Sequence, residues 1–152
     1  MPERRLTAPM GASRSSPMTP SEAFAAIALA AVACDGSLDR EEAQALRAQL
    51  EGRSPFRDLS EDTMGRLFDG LLEQLRRQGW ESLISEAIPL LSTLQQETAL
   101  AMAAQLVHCD RIVDPAEAEM LGRMAAQLNL SEARSAQILD VIALLNRDSL
   151  AS

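Results

Sequence analysis

The sequence predicts an all-α fold, a single-domain bundle of about seven helices, and three observations carry that prediction. Ala (25) and Leu (23) supply 48 of the 152 residues, while Tyr is absent and Phe plus Trp total 4, a bias toward helix formers and away from strand formers. Apolar residues recur at three- and four-residue spacing through most of the chain. The chain also matches itself at an offset of 75, where Glu22–Leu46 lies over Glu97–Leu121 with 10 of 25 positions identical. Composition explains the shared alanines, but not the shared string Cys34-Asp35…Asp39…Glu42 over Cys109-Asp110…Asp114…Glu117.

Residues 1–18 read as a disordered N-terminal tail, with three Arg and three Ser and no apolar run of signal-peptide length. Such an Arg- and Ser-rich start is also that of organelle transit peptides, but it lacks their amphipathic pattern. The helical domain is expected over 19–148. Pro20 and Ser21 open its first helix, whose apolar run Ala23–Cys34 of 12 residues suits a buried core helix and is too short to span a bilayer. Asp35-Gly36 is a turn dipeptide, and Asp39 with Glu42 three residues on is a capping box for the next helix.

Met64, Leu67, Phe68, Leu71, Leu72 and Leu75 then share one helical face, and Gly79 ends that helix. Trp80, Leu83, Ile84, Ala87, Ile88 and Leu91 form a further stripe, interrupted by Pro89. A helix from about Ser92 to Cys109 begins the second copy, and Pro115 after Asp114 takes the first position of the helix that follows. Ser131 caps a last helix whose Ile138, Val141, Ile142 and Leu145 are expected to face the core. No strand signal or linker divides Ser21 from Arg147.

The formal charge is −8, and all 14 basic residues are Arg. That balance disfavours nucleic acid and anionic membrane surfaces and favours a cationic ligand or a basic protein patch. Two cysteines that form no C-x-x-C pair fit a reducing compartment rather than a secreted disulfide framework. Cys34, Cys109 and His108 lack zinc spacing, and small buried cysteines are common core residues. No Gly-rich phosphate loop or G-x-S-x-G occurs, and the single His has no nucleophile and acid set beside it, so no enzyme is expected.

The acids remain to be explained. D-G-x-[ILV]-D-x-x-E matches the second half of a calcium EF-hand loop, but the first and third ligand positions would be Ala31 and Ala33 in one copy and Leu106 and His108 in the other. A standard EF-hand is therefore disfavoured. Capping accounts for Asp39, Glu42, Asp114 and Glu117 at about 1 kcal/mol each. It does not account for Asp35 and Asp110, which follow a helix and oppose its dipole. The functional alternative is that Asp35, Asp39 and Glu42, and equally Asp110, Asp114 and Glu117, offer oxygens to a hard divalent cation, Ca²⁺ or Mg²⁺, with water completing the shell.

These residues resemble the tellurite-resistance TerB-like family, small all-helical domains with two motifs of the form A-D-G-x-[IVL]-x-x-x-E. The resemblance covers Ser21 to about Arg147 and rests on V-A-C-D-G-S-L-D-R-E-E (Val32–Glu42), V-H-C-D-R-I-V-D-P-A-E (Val107–Glu117), the helical insert between them and L-N-L-S (Leu128–Ser131). It implies a cytoplasmic bacterial protein of a tellurite-resistance and stress-response system. Such a protein would act through an acidic, metal-associated surface on a partner that presents a basic patch or is a membrane-associated stress protein. The family's acidic positions fall on Asp35, Glu42, Asp110 and Glu117. The chain departs from the pattern in Cys34 and Cys109, where Ala is usual, and in Arg111, where Gly is usual. The last change weakens the case for a cation in the second copy.

Overall fold

A computed structural model describes residues 18–33, 36–108 and 115–152. Cys34, Asp35, the segment 109–114 and the tail up to residue 17 lie outside the described residues, so the expectations placed on them are not addressed by it. Among the described residues the chain is all-α, with seven α-helices and no strand: α1 (Pro20–Val32), α2 (Arg40–Glu51), α3 (Glu61–Gln78), α4 (Trp80–Ala87), α5 (Thr93–His108), α6 (Pro115–Gln127) and α7 (Glu132–Leu145). Short 3₁₀ turns at Phe56–Asp58 and Ile88–Leu90 precede α3 and α5. The second falls where Pro89 interrupts the apolar stripe, because proline removes the N–H that an α-helix needs there.

Side-chain caps set most helix starts. Thr19 and Glu22 form a capping box on α1, with Thr19 N donating to Glu22 Oε1 at 2.8 Å and Glu22 N to Thr19 Oγ1 at 3.2 Å. Ser92 and Gln95 do the same for α5 at 2.8 and 3.2 Å. Ser60 and Ser131 cap α3 and α7. Gly79 ends α3 at φ +86°, a conformation that costs glycine nothing.

The core is built around α1. Ala25 to Ala30 are all fully buried, so this helix is wrapped on every side rather than on one stripe. Its alanines, with Ala99, Ala103 and Ala104 of α5, let the two helices pack closely, and α5 and α4 are the neighbours that α1 meets most. The expected face of α3 is confirmed, with Met64, Phe68, Leu71 and Leu75 buried and Leu67 and Leu72 partly so. Each fully buried Leu, Ile or Met contributes roughly 1.5–3 kcal/mol.

One expectation about α7 is corrected. Ile138 and Ile142 pack on the core, but Val141 and Leu145 are 59% and 71% exposed. The seam against α5 is centred on Ser135, Leu139, Ile142 and Asn146, and two of those four are polar. Asn146 Nδ2 donates to Gln105 Oε1 at 2.7 Å, and the Arg134 guanidinium reaches Glu97 at 2.9 Å. Those contacts rotate Val141 and Leu145 about a quarter-turn or more away from α5.

Candidate functional site

The end of α1 near Val32 and the end of α5 near Leu106 and Val107 lie together, and onto that junction α2 and α6 each direct an N-terminal turn. α2 opens at Arg40 and α6 at Pro115, the separation of 75 residues found between the two motif copies. The α2 start is the expected capping box: Glu42 N donates to Asp39 Oδ1 at 2.7 Å, and Asp39 N to Glu42 Oε1 at 3.1 Å. Pro115 is the first residue of α6, as the sequence requires, and Glu117 stands in its first turn.

A concavity of about 320 Å³ opens between these elements. Val32, Leu106 and Val107 form an apolar floor, and Asp39, Glu41, Glu42 and Glu117 form the rim. The structure thus brings together one candidate acid of the second copy and two of the first. Asp35, Asp110 and Asp114 lie outside the described residues. Glu41 was missed by sequence reasoning because it belongs to neither repeated position. Its signal was the doubled acid Glu41-Glu42 in a first turn, where two adjacent carboxylates exceed what one cap needs.

Among the described residues that line this concavity none is basic, so its carboxylates repel one another, and the positive ends of α2 and α6 offset part of that repulsion. Such a rim attracts cations. Among the described residues, no three of His, Cys, Asp or Glu stand close enough together to hold a metal ion. The acids present therefore do not form a cage by themselves. An apolar floor beneath a carboxylate rim also fits the aliphatic stem and charged head of an Arg or Lys side chain.

A backbone feature supports the first turn from outside. Gly36 adopts φ +88°, its N–H donates to the Ala33 carbonyl at 2.8 Å, and its own carbonyl accepts from Arg76 Nε of α3 at 2.8 Å.

The family model for the tellurite resistance protein TerB matches residues 21–140, which include both acidic motifs and all seven helices except Pro20 of α1 and the last five residues of α7. The chain belongs to the TerB family. No curated relative matches it, and no solved structure does. Within the TerB match, four acids from two separate helix starts face one depression. Among the described residues of this TerB-family chain, no helix is long and apolar enough to cross a membrane.

Proposed function

We propose that this TerB-family chain is a non-enzymatic, cytoplasmic module of a bacterial tellurite-resistance and stress-response system. It acts through the acidic depression at the starts of α2 and α6, which receives a basic patch of a partner protein together with a divalent cation, Ca²⁺ or Mg²⁺. The observation that supports this reading most is the convergence of Asp39, Glu41, Glu42 and Glu117, from two separate helix starts, on one apolar floor. A cation at this rim would draw the remaining oxygens from Asp35, Asp110, Asp114 and water, since hard cations take oxygen ligands. Its effect would be to neutralise the rim and so set which partner charge is accepted.

Calorimetric titration of the metal-free chain with Ca²⁺, Mg²⁺, Mn²⁺ and Zn²⁺ tests the cation. Saturable heat from Ca²⁺ or Mg²⁺ that Glu117→Gln diminishes supports it, and silence from all four removes it. An arginine-rich peptide tests the partner surface separately. Binding should weaken with salt and be lost when Glu41 and Glu117 are both changed to Gln.

A second reading rests on the Asp39–Glu42 box itself, in which each side chain accepts a backbone hydrogen bond. On that reading the domain is a structural helical scaffold whose acidic motifs only cap helices.

A further inference from the structure

The opposite end of the α1–α5 pair carries a second concavity, of about 500 Å³, with a different chemistry. α1 and α5 run side by side in the same direction, so this groove lies about 15 Å along α1 from the acidic depression, by the helical rise. One wall is apolar: Phe24 and Phe56, whose ring centroids are 6.1 Å apart, with Pro20, Leu91 and Leu94. Leu94 is 75% exposed on its rim, although it lies in the first turn of a core helix.

The charge pattern points to an occupant. The chain carries 22 acidic residues, yet none of the described residues lining this groove is a carboxylate. Among the described residues the one charged group in the lining is Arg53, whose guanidinium sits 5.5 Å from the centroid of the Phe24 ring. Among the described residues no carboxylate pairs with it, as the ion pairs of Arg47, Arg66, Arg123 and Arg134 do not involve it and its ring contact is with Phe24. Stacking on the ring limits the freedom of the guanidinium at the mouth of an apolar slot, and its N–H fork remains available for a carboxylate. The volume lies within the range of small-ligand pockets, and an aromatic and aliphatic wall faces a mouth where Ser21, Ser54, Gln95 and Thr98 stand beside Arg53.

We propose that this groove binds a small amphipathic carboxylate, its hydrocarbon body against Phe24, Phe56 and Leu94 and its carboxylate on Arg53. The assignment is independent of the acidic depression and of any cation there.

The test uses the full chain and three probes of equal length: octanoate, octanol and octylammonium, each below its aggregation concentration. Binding is followed by protein-observed NMR. Octanoate should shift resonances of Phe24, Phe56 and Leu94 and bind more tightly than the other two. Arg53→Gln should weaken octanoate about three- to fivefold, the scale of an exposed ion pair, and leave octanol unchanged. Leu94→Ser, at an exposed position where folding is not at stake, should weaken both. Equal binding of all three probes, or an octanoate affinity indifferent to Arg53→Gln, overturns the proposal and leaves an apolar docking surface. Shifts confined to other parts of the chain, or no binding of octanoate, overturn it as well.

Discussion

Arg76 of α3 ties itself to the first acidic turn by donating from Nε to the carbonyl of Gly36 at 2.8 Å, across 40 residues of sequence. The bond holds a carbonyl just past the end of α1, where cations complement the helix dipole. The Arg76 Cγ also lies 3.4 Å from where a β-carbon on residue 36 would stand, and φ there is +88°. Gly36→Ala is therefore strained in its backbone and is expected to cost about 1–2 kcal/mol, while Arg76→Ala loses one hydrogen bond at about 0.5–1.5 kcal/mol. Urea denaturation checks both. The coupling between the two changes should be nonzero in the double variant, because they share one contact. Strict additivity would show that the Arg76 bond does not shape the turn.

Gln96 is the buried polar residue that joins three segments. At 2% exposure it donates from Nε2 to the carbonyls of Leu91 at 3.1 Å and Ile88 at 3.4 Å, and its Oε1 accepts from Asn129 N at 2.8 Å. Gln96→Leu keeps the volume but takes the partner from the Leu91 carbonyl and the Asn129 N–H, while the Ile88 carbonyl keeps Leu91 N, and should cost about 1–3 kcal/mol. Gln96→Glu should be harsher near neutral pH, because a carboxylate offers no donor to the two carbonyls. Thermal unfolding of both variants decides it, and a Leu variant as stable as the parent would mean that water replaces the lost bonds.

The sequence carried local signals well and distant ones poorly. Asp39 and Glu42 were legible as a cap because a capping box is written in four consecutive residues, and Pro115 for the same reason. The Thr19–Glu22 box was overlooked because Pro20 and Ser21 supplied a sufficient start one residue later. Val141 and Leu145 were misplaced because the stretch Val141–Leu145 is apolar on all sides, so periodicity could not orient it. The seam is set by Ser135 and Asn146, which a hydrophobic pattern ignores. Nothing local announces that Arg76 will reach Gly36, or that Glu41 will join Glu117. Those depend on how α3 and α6 pack, which short-range spacing does not encode.

The ion pair between Glu97 and Arg134 makes a statement about pH. Hydrogen bonding from Arg134 is the main cause that holds the Glu97 carboxyl below its ordinary value near 4.5, against a smaller opposing effect of desolvation. A carboxyl depressed in the folded state adds stability that is present above its unfolded pKa and is lost as pH falls through the folded one. Glu97→Gln should thus be less stable than the parent near neutral pH, with the gap narrowing as pH is lowered from about 5 toward 3. Melting temperatures across that range give the answer. A gap that stays constant would assign the loss to packing rather than charge.

The two readings of the acidic depression part company at the amides. Asn caps a helix about as well as Asp, and Gln serves in a capping box as Glu does, so Asp39→Asn and Glu42→Gln keep the hydrogen bonds seen at the start of α2 while removing charge. If the acids only cap, both variants should match the parent within about 0.5 kcal/mol and bind cations no differently. If the rim holds Ca²⁺ or Mg²⁺, metal-free stability should be unchanged or slightly raised, because repulsion with Glu41 and Glu117 is relieved, while cation affinity falls about tenfold or more. Asp39→Ala serves as the contrast. It removes the cap and should cost about 0.5–2 kcal/mol with or without cation. Calorimetric titration and urea unfolding of the three variants, each with and without Ca²⁺ and Mg²⁺, separate the cases. Amide variants that retain full cation affinity place any binding away from α2, and amide variants as unstable as Asp39→Ala make the charge itself part of the cap.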